Sequence, residues 1–181
     1  MDSDRLHVLT GGPGSGKTTL IEALAAAGVA TSPEVGRAVI REQLASGGDA
    51  LPWANQKAFA DLMVVRDIAA REAALASGAI TVLDRGVPDV AGFLRVSGLP
   101  VPPHIDEAAR ICRYNSRVFI APFWSEIFTG DAERKQSPEV AEATFAVMVE
   151  TYRDYGYDLI ELPRATIAER VAFVRERIGL R

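Results

Sequence analysis

One octapeptide constrains this chain more than any other part of it. Gly11-Gly12-Pro13-Gly14-Ser15-Gly16-Lys17-Thr18 satisfies the pattern G-x-x-x-x-G-K-[ST]. It follows the apolar run Arg5–Thr10 (RLHVLT) and opens a helical pattern, Lys17–Ala27, that Gly28 stops. In that setting the loop wraps phosphates with inward-pointing backbone N–H groups, and the helix N-terminus adds positive potential. The expected nucleotide-binding residues are therefore Gly12, Pro13, Gly14, Ser15, Gly16, Lys17, Thr18 and Thr19. Lys17 should reach the β- and γ-phosphates of ATP and is a candidate catalytic residue. The Thr18 hydroxyl should ligate Mg²⁺, and Thr19 can bond an α-phosphate oxygen.

After the loop, short apolar runs alternate with longer helical patterns, as in a parallel α/β sheet. Strands are expected at Val29–Ser32, Ile80–Leu83, Ser116–Ala121 and Asp158–Leu162. Helices are expected at Val35–Ala45, Pro52–Ala76, Asp89–Val96, Ile105–Tyr114 and from Pro138 onward. A last helix begins at a capping box, Thr166 with Glu169, and closes at Gly179. No repeat or linker interrupts the pattern. The expectation is one domain over residues 1–181: a P-loop NTPase three-layer α/β/α sandwich around about five parallel strands.

Bulk properties narrow the partners. A net charge of −4 argues against a broad surface for a nucleic-acid polymer or an anionic membrane. No apolar run approaches the roughly 18 residues of a membrane span, and the ten residues before the loop leave no room for a cleavable signal. A cytoplasmic protein is expected, its oligomeric state unread. Cys112 is the single cysteine, which excludes an internal disulfide and suits a buried apolar-like role. His7 and His104 have no partners at metal-ligand spacing and read as structural or surface residues.

A phosphate loop needs an acidic partner at the carboxyl end of a neighbouring strand. Asp84, at the end of ITVL, is the candidate, either holding Mg²⁺ or taking an acceptor's proton. Many NTP-driven motors place Glu at the next position to polarise water. Arg85 stands there instead and cannot be that base, a departure that points to transfer rather than hydrolysis. Arg85 suits a second anionic group or an acceptor hydroxyl. Glu34 follows the second strand, with Arg37 one helical turn on. A carboxylate there can activate an acceptor hydroxyl across the cleft, or simply stabilise a helix first turn.

The polar segment at about 128–137 lies between the fourth strand and a helix. It reads as a lid that excludes water and brings Arg134 or Lys135 to the transferring phosphoryl, or as a solvated loop. Gln56 and Arg66 on the long helix are candidates for an acceptor pocket, while Trp53 and Phe59 suit packing. Phe123 and Trp124 suit an anchor beside the lid or a place near adenine.

Taken in order, GGPGSGKTTL, SPEVGR, the helix with Gln56 and Arg66, LDRGVPD and FWSEIFTGDAERK resemble a known group. The chain is similar to the stand-alone bacterial P-loop predicted ATPases of the AAA-domain type. Beyond them it is similar to the ribosylnicotinamide kinase domain and to deoxynucleoside and thymidylate kinases. The resemblance covers nearly the whole chain, including YRDYGYDLIELP. It implies a nucleotide-kinase-like fold, Glu34 as a base, Asp84-Arg85 as the Mg²⁺ and acceptor-side pair, and Arg134 as a lid arginine. Val35 stands where deoxynucleoside kinases carry Pro, and the lid holds one Arg-Lys pair.

The reading that follows is a kinase passing the γ-phosphoryl of ATP to a nucleoside-like or other small acceptor. The catalytic set is Lys17, Glu34, Asp84 and Arg134; Glu34, Arg37, Gln56, Arg66 and Arg85 hold the acceptor; Thr18 and Asp84 hold Mg²⁺. The alternative is an ATP-dependent regulatory module, or a slow ATPase without an acceptor.

Overall fold

Strand β1 (Leu6–Gly11) alternates its side chains between two faces of a sheet, and the core divides accordingly. The computed structural model describes residues 2–127 and 137–180. Leu6 and Val8 join one cluster with residues of α2 (Val35–Ser46), α3 (Gln56–Ser77), α4 (Val87–Val96), α5 (Pro103–Ile111) and α6 (Pro138–Asp154). Leu9 joins the opposite cluster with Leu20 and Leu24 of α1 (Lys17–Ala26) and Val174 of α7 (Ile167–Arg177). The same split recurs on β3 (Thr81–Asp84), where Leu83 faces the first cluster and Val82 the second. Helices thus cover both faces, which is why β3 and β4 (Arg117–Ala121) read as almost unbroken apolar runs.

With β2 (Ala30–Ser32) and β5 (Asp158–Glu161), the sheet has five parallel strands in the order β2-β3-β1-β4-β5. Strand β1 lies in the middle, and the register sets Leu9 beside Asp84 on one flank and Phe119 on the other. The end of β3 therefore opens beside the phosphate loop, where ligands bind in open α/β sheets. The expected α/β/α sandwich and its five strands are present. No helix among the described residues is long and apolar enough to cross a membrane.

Helix α5 begins at Pro103 rather than Ile105, and two further helix starts differ from expectation, each for a capping reason. Helix α3 begins at Gln56 rather than Pro52, because the Asn55 side chain accepts from Ala58 N at 3.1 Å. Helix α4 begins at Val87 rather than Asp89, with Pro88 in the first turn and the Asp89 carboxylate accepting from Gly86 N at 3.0 Å. The capping box of α7 forms as expected: Thr166 N donates to Glu169 Oε2 at 2.9 Å, and Glu169 N to Thr166 Oγ1.

Candidate functional site

The phosphate loop is wedged against two neighbours. A Cβ on Gly11 would lie 2.5 Å from the Ala121 carbonyl oxygen of β4, and one on Gly12 2.5 Å from the Ala141 oxygen of α6. Any side chain at either position would push the loop off the sheet. Within the loop, the Ser15 hydroxyl donates to Gly12 O at 2.8 Å. Lys17 Nζ donates to Gly12 O at 2.5 Å and to Ser15 Oγ at 3.1 Å. Burial pulls the Lys17 ammonium down to about 7, the Arg85 charge adds to the effect, and Asp84, Glu34 and Asp89 oppose it.

Around the loop lies a cavity of about 560 Å³. Pro13 to Thr19 form one wall, Glu34, Arg37 and Arg85 a second, and Trp124 with Thr166 and Arg170 a third. Thr18 and Thr19 are exposed to it. Arg170 is 1% exposed and joins this wall to the loop. Its Nη1 donates to Ser15 O at 3.1 Å, its Nε donates to Pro163 O at 2.9 Å, and its guanidinium lies 5.3 Å from the Trp124 ring centroid.

Beside this cavity is a second, of about 320 Å³, roofed by Trp53, Phe59, Phe93 and Met148. Phe59 and Phe93 meet edge to face, their centroids 5.3 Å apart. The two cavities share Pro13, Glu34 and Arg85. Glu34 and Arg85 therefore face both spaces at once.

A row of alternating charges holds that shared wall. Arg37 Nε donates to Glu34 Oε2 at 3.0 Å, and Arg85 Nε donates to Glu34 Oε1 at 3.1 Å. Arg85 Nη1 donates onward to Asp89 Oδ1 at 3.0 Å and to Gly11 O at 3.3 Å. Asp89 is filled further by Thr10 Oγ1 and by Tyr152 OH, each at 2.5 Å. Burial alone works against the Arg85 charge, but Glu34, Asp89 and Asp84 outweigh it and strengthen its hold on the proton. Arg85 also adopts a left-handed backbone, φ 77°, the one non-glycine residue to do so among those described. Such a conformation costs about 1–3 kcal/mol and survives only where its surroundings fix it; here the guanidinium is fixed by two carboxylates.

Asp84 is 4% exposed, and its Oδ1 has no hydrogen-bond partner among the described residues. Burial, with the Glu34 charge next, pushes its carboxyl up to about 6. A buried carboxylate oxygen without a donor is costly unless a cation completes it. Among the described residues no group of three or more His, Cys, Asp or Glu could hold a metal. One hydroxyl, one carboxylate and phosphate oxygens are the donor set that Mg²⁺ accepts, so Thr18 and Asp84 fit it.

Other expected site residues lie elsewhere. Arg66 is on the outer face of α3, where both its terminal nitrogens pair with the exposed Glu42 carboxylate. Gln56 Nε2 donates to Pro52 O at 3.0 Å, and Gln56 lines a separate shallow depression. Neither reaches the second cavity, because the inward stripe of α3 is Phe59, Met63 and Asp67, spaced four residues apart. Trp53 is not core packing either: it is 57% exposed at the cavity mouth, whereas Phe59 is 1% exposed. Arg134, Lys135 and residues 128–136 of the lid expected at about 128–137 lie outside the described residues. His104 pairs with Asp61 on the surface at 2.8 Å, and burial lowers His7 on β1 to about 4.

Three charged side chains that line the two cavities escaped the sequence reading: Asp67, Asp89 and Arg170. Asp67 and Arg170 shared one signal, a charge on the apolar stripe of an amphipathic helix, which is rarely left unused. Asp89 stood in the first turn after Gly86-Val87-Pro88, where an acidic residue caps.

A family model described as AAA domain matches residues 6–170. The chain belongs to this family. Comparison with curated proteins finds no match. Among the solved structures that share the fold of this AAA-domain protein are three kinase-fold examples. A NadR protein in complex with NR superposes with a TM-score of 0.76 at 16% identity, over 99% of this chain and 53% of that one. This chain thus spans about half of that protein. Thymidylate kinase from Ehrlichia chaffeensis gives a TM-score of 0.64 at 14% identity, over 98% of this chain and 100% of that one. Shikimate kinase from Acinetobacter baumannii in complex with shikimate gives 0.55 at 16% identity, over 96% and 92%. At these identities the likeness is one of fold: a P-loop, kinase-like α/β sandwich.

Proposed function

We propose that this protein is a kinase that transfers the γ-phosphoryl group of ATP to a hydroxyl of a small molecule. The observation that carries the reading is the shared wall: Glu34 and Arg85 face both the phosphate-loop cavity and its neighbour. A donor in one space and an acceptor in the other would meet at these two side chains, the geometry that in-line transfer needs. The solved kinases that share the fold, each acting on a small acceptor by name, support the same reading.

In this reading the loop N–H groups and Lys17 hold the β- and γ-phosphates. Thr18 and Asp84 would hold Mg²⁺, which neutralises charge on the phosphates. Glu34 is the base. It lines both cavities and can meet an acceptor hydroxyl, whereas Asp84, at the end of β3, is not among the residues lining the acceptor space. Glu34 takes the hydroxyl proton as the acceptor oxygen bonds to the γ-phosphorus. The bond from that phosphorus to the bridging oxygen breaks, and its electron pair leaves on ADP. Arg85 steadies Glu34 in place, and the row through Asp89 to Tyr152 and Thr10 fixes Arg85. Arg134 would meet the transferring group from the lid.

ATP consumption with Mg²⁺ should rise several-fold or more on adding one member of a panel of nucleosides, nucleoside monophosphates and ribosylnicotinamide. A rate that no acceptor raises, with ATP still bound tightly, would favour the regulatory module. Glu34→Gln should abolish transfer and spare ATP binding; unaltered transfer would assign the base to Asp84.

A further inference from the structure

The second cavity has a charge balance that its apolar roof hides. Three carboxylates, Glu34, Asp67 and Asp89, and one guanidinium, Arg85, line it. By sequence Arg85 suits a second anionic group. In the fold its Nε and Nη1 are committed to Glu34, Asp89 and the Gly11 carbonyl, and both carboxylates are held by it. A phosphate or carboxylate ligand needs cationic donors, most often arginine in a bidentate grip. Among the described lining residues Arg85 is the single cation, so such a ligand would compete with Glu34 and Asp89 for it.

Asp67 is the remaining carboxylate. It is 7% exposed, lines the cavity, and no hydrogen bond joins it to another described residue. Burial is the main reason its carboxyl is held well above the usual range, with the Asp89 charge adding to it. Lining the cavity without a protein partner, it is open to a hydrogen bond from a ligand there. It sits on the same helical stripe as Phe59 and Met63, which puts it on the cavity side of α3.

We propose that this cavity binds a flat, hydroxyl-bearing acceptor that carries no phosphate or carboxylate, uncharged or cationic, with Asp67 as its specificity-determining residue. The proposal rests on reading the cavity as the acceptor site. Asp67, its carboxyl held protonated by burial, exchanges hydrogen bonds with a ligand hydroxyl, donating its O–H and accepting at its carbonyl oxygen. The Trp53, Phe59 and Phe93 rings supply flat apolar contact. A phosphate monoester of the same compound would have to compete with Glu34 and Asp89 for Arg85, so discrimination comes from the lack of a free cation as well as from fit.

The test is calorimetric binding of adenosine, thymidine and ribosylnicotinamide, each against its own 5′-monophosphate, with Mg²⁺ and a non-hydrolysable ATP analogue present. At least one unphosphorylated compound should bind tenfold or more tighter than its monophosphate. Asp67→Asn should weaken that compound tenfold or more and leave the affinity for the ATP analogue unchanged. A monophosphate that binds as tightly, or a panel in which nothing binds, overturns the proposal without any variant. Unchanged affinity in a folded Asp67→Asn removes Asp67 from the role. Phosphoryl transfer to a monophosphate would leave the kinase reading standing while sinking this one. A bound unphosphorylated compound that receives no phosphoryl group would do the reverse.

Discussion

The two cavities are built by opposite means. The larger has one wall made of a single contiguous loop: the seven residues from Pro13 to Thr19 supply it, and what that wall offers a ligand is N–H groups, hydroxyls and one ammonium. The smaller is made of side chains from α2, α3, α4 and α6, which meet only after folding. A cradle made of backbone fixes the chemical group it holds and little else. A cavity made of side chains from four helices can change its occupant through single substitutions while the fold stays. The contrast predicts that the first tolerates almost no change and that the second is where selectivity resides.

Breaking the first cavity should give the largest effect. Lys17→Ala is expected to lower turnover by about 10²–10³-fold or more, with the circular dichroism spectrum and melting curve retained. Full turnover in that variant would displace the site from the loop altogether.

This contrast also explains how far the sequence could be read. The G-x-x-x-x-G-K-[ST] pattern is contiguous between β1 and α1, so the place of the loop was legible from one stretch of sequence. So were the sheet, from its apolar runs, and the position of Asp84 at a strand end. Gln56 and Arg66 were misplaced because membership of a long helix does not say which face turns inward. That face is set by how α3 packs against α4, and the packing chose Phe59, Met63 and Asp67. The pairing of Arg85 with both Glu34 and Asp89 was invisible for a related reason. Glu34 is 51 positions away in the chain, and a left-handed residue at 85 carries no signature in composition.

Sharpening the contrast needs smaller perturbations of the second cavity. Trp53→Ala should raise the acceptor KM by about tenfold through lost aromatic contact and leave the KM for ATP unaltered. Equal changes in both constants would mean that the two spaces are not separate sites.

A pH experiment separates the cavities by charge. Burial draws the Lys17 ammonium down to about 7, and phosphates beside it should restore its hold on the proton. Binding ATP should therefore take up protons above pH 7, seen as a calorimetric heat that varies with the buffer's ionisation enthalpy. Affinity should be highest below about pH 7 and fall by up to about tenfold per unit as pH rises beyond it. Lys17→Met should abolish the uptake; uptake that persists would assign it to another group.

The smallest effect belongs to the outer face of α3. Arg66→Ala removes a pair with Glu42 in which both side chains are about half exposed. It should change stability by less than about 1 kcal/mol and turnover not at all. A loss of acceptor binding there would restore Arg66 to the site.

The central claim is that the γ-phosphoryl crosses the Glu34–Arg85 wall into the second cavity. Its most direct measurement follows label from γ-³²P ATP in the presence of the acceptor panel. The account predicts label in an organic phosphate ester, formed by the native protein and lost in Glu34→Gln. Label found in inorganic phosphate alone, whatever acceptor is present, would contradict it.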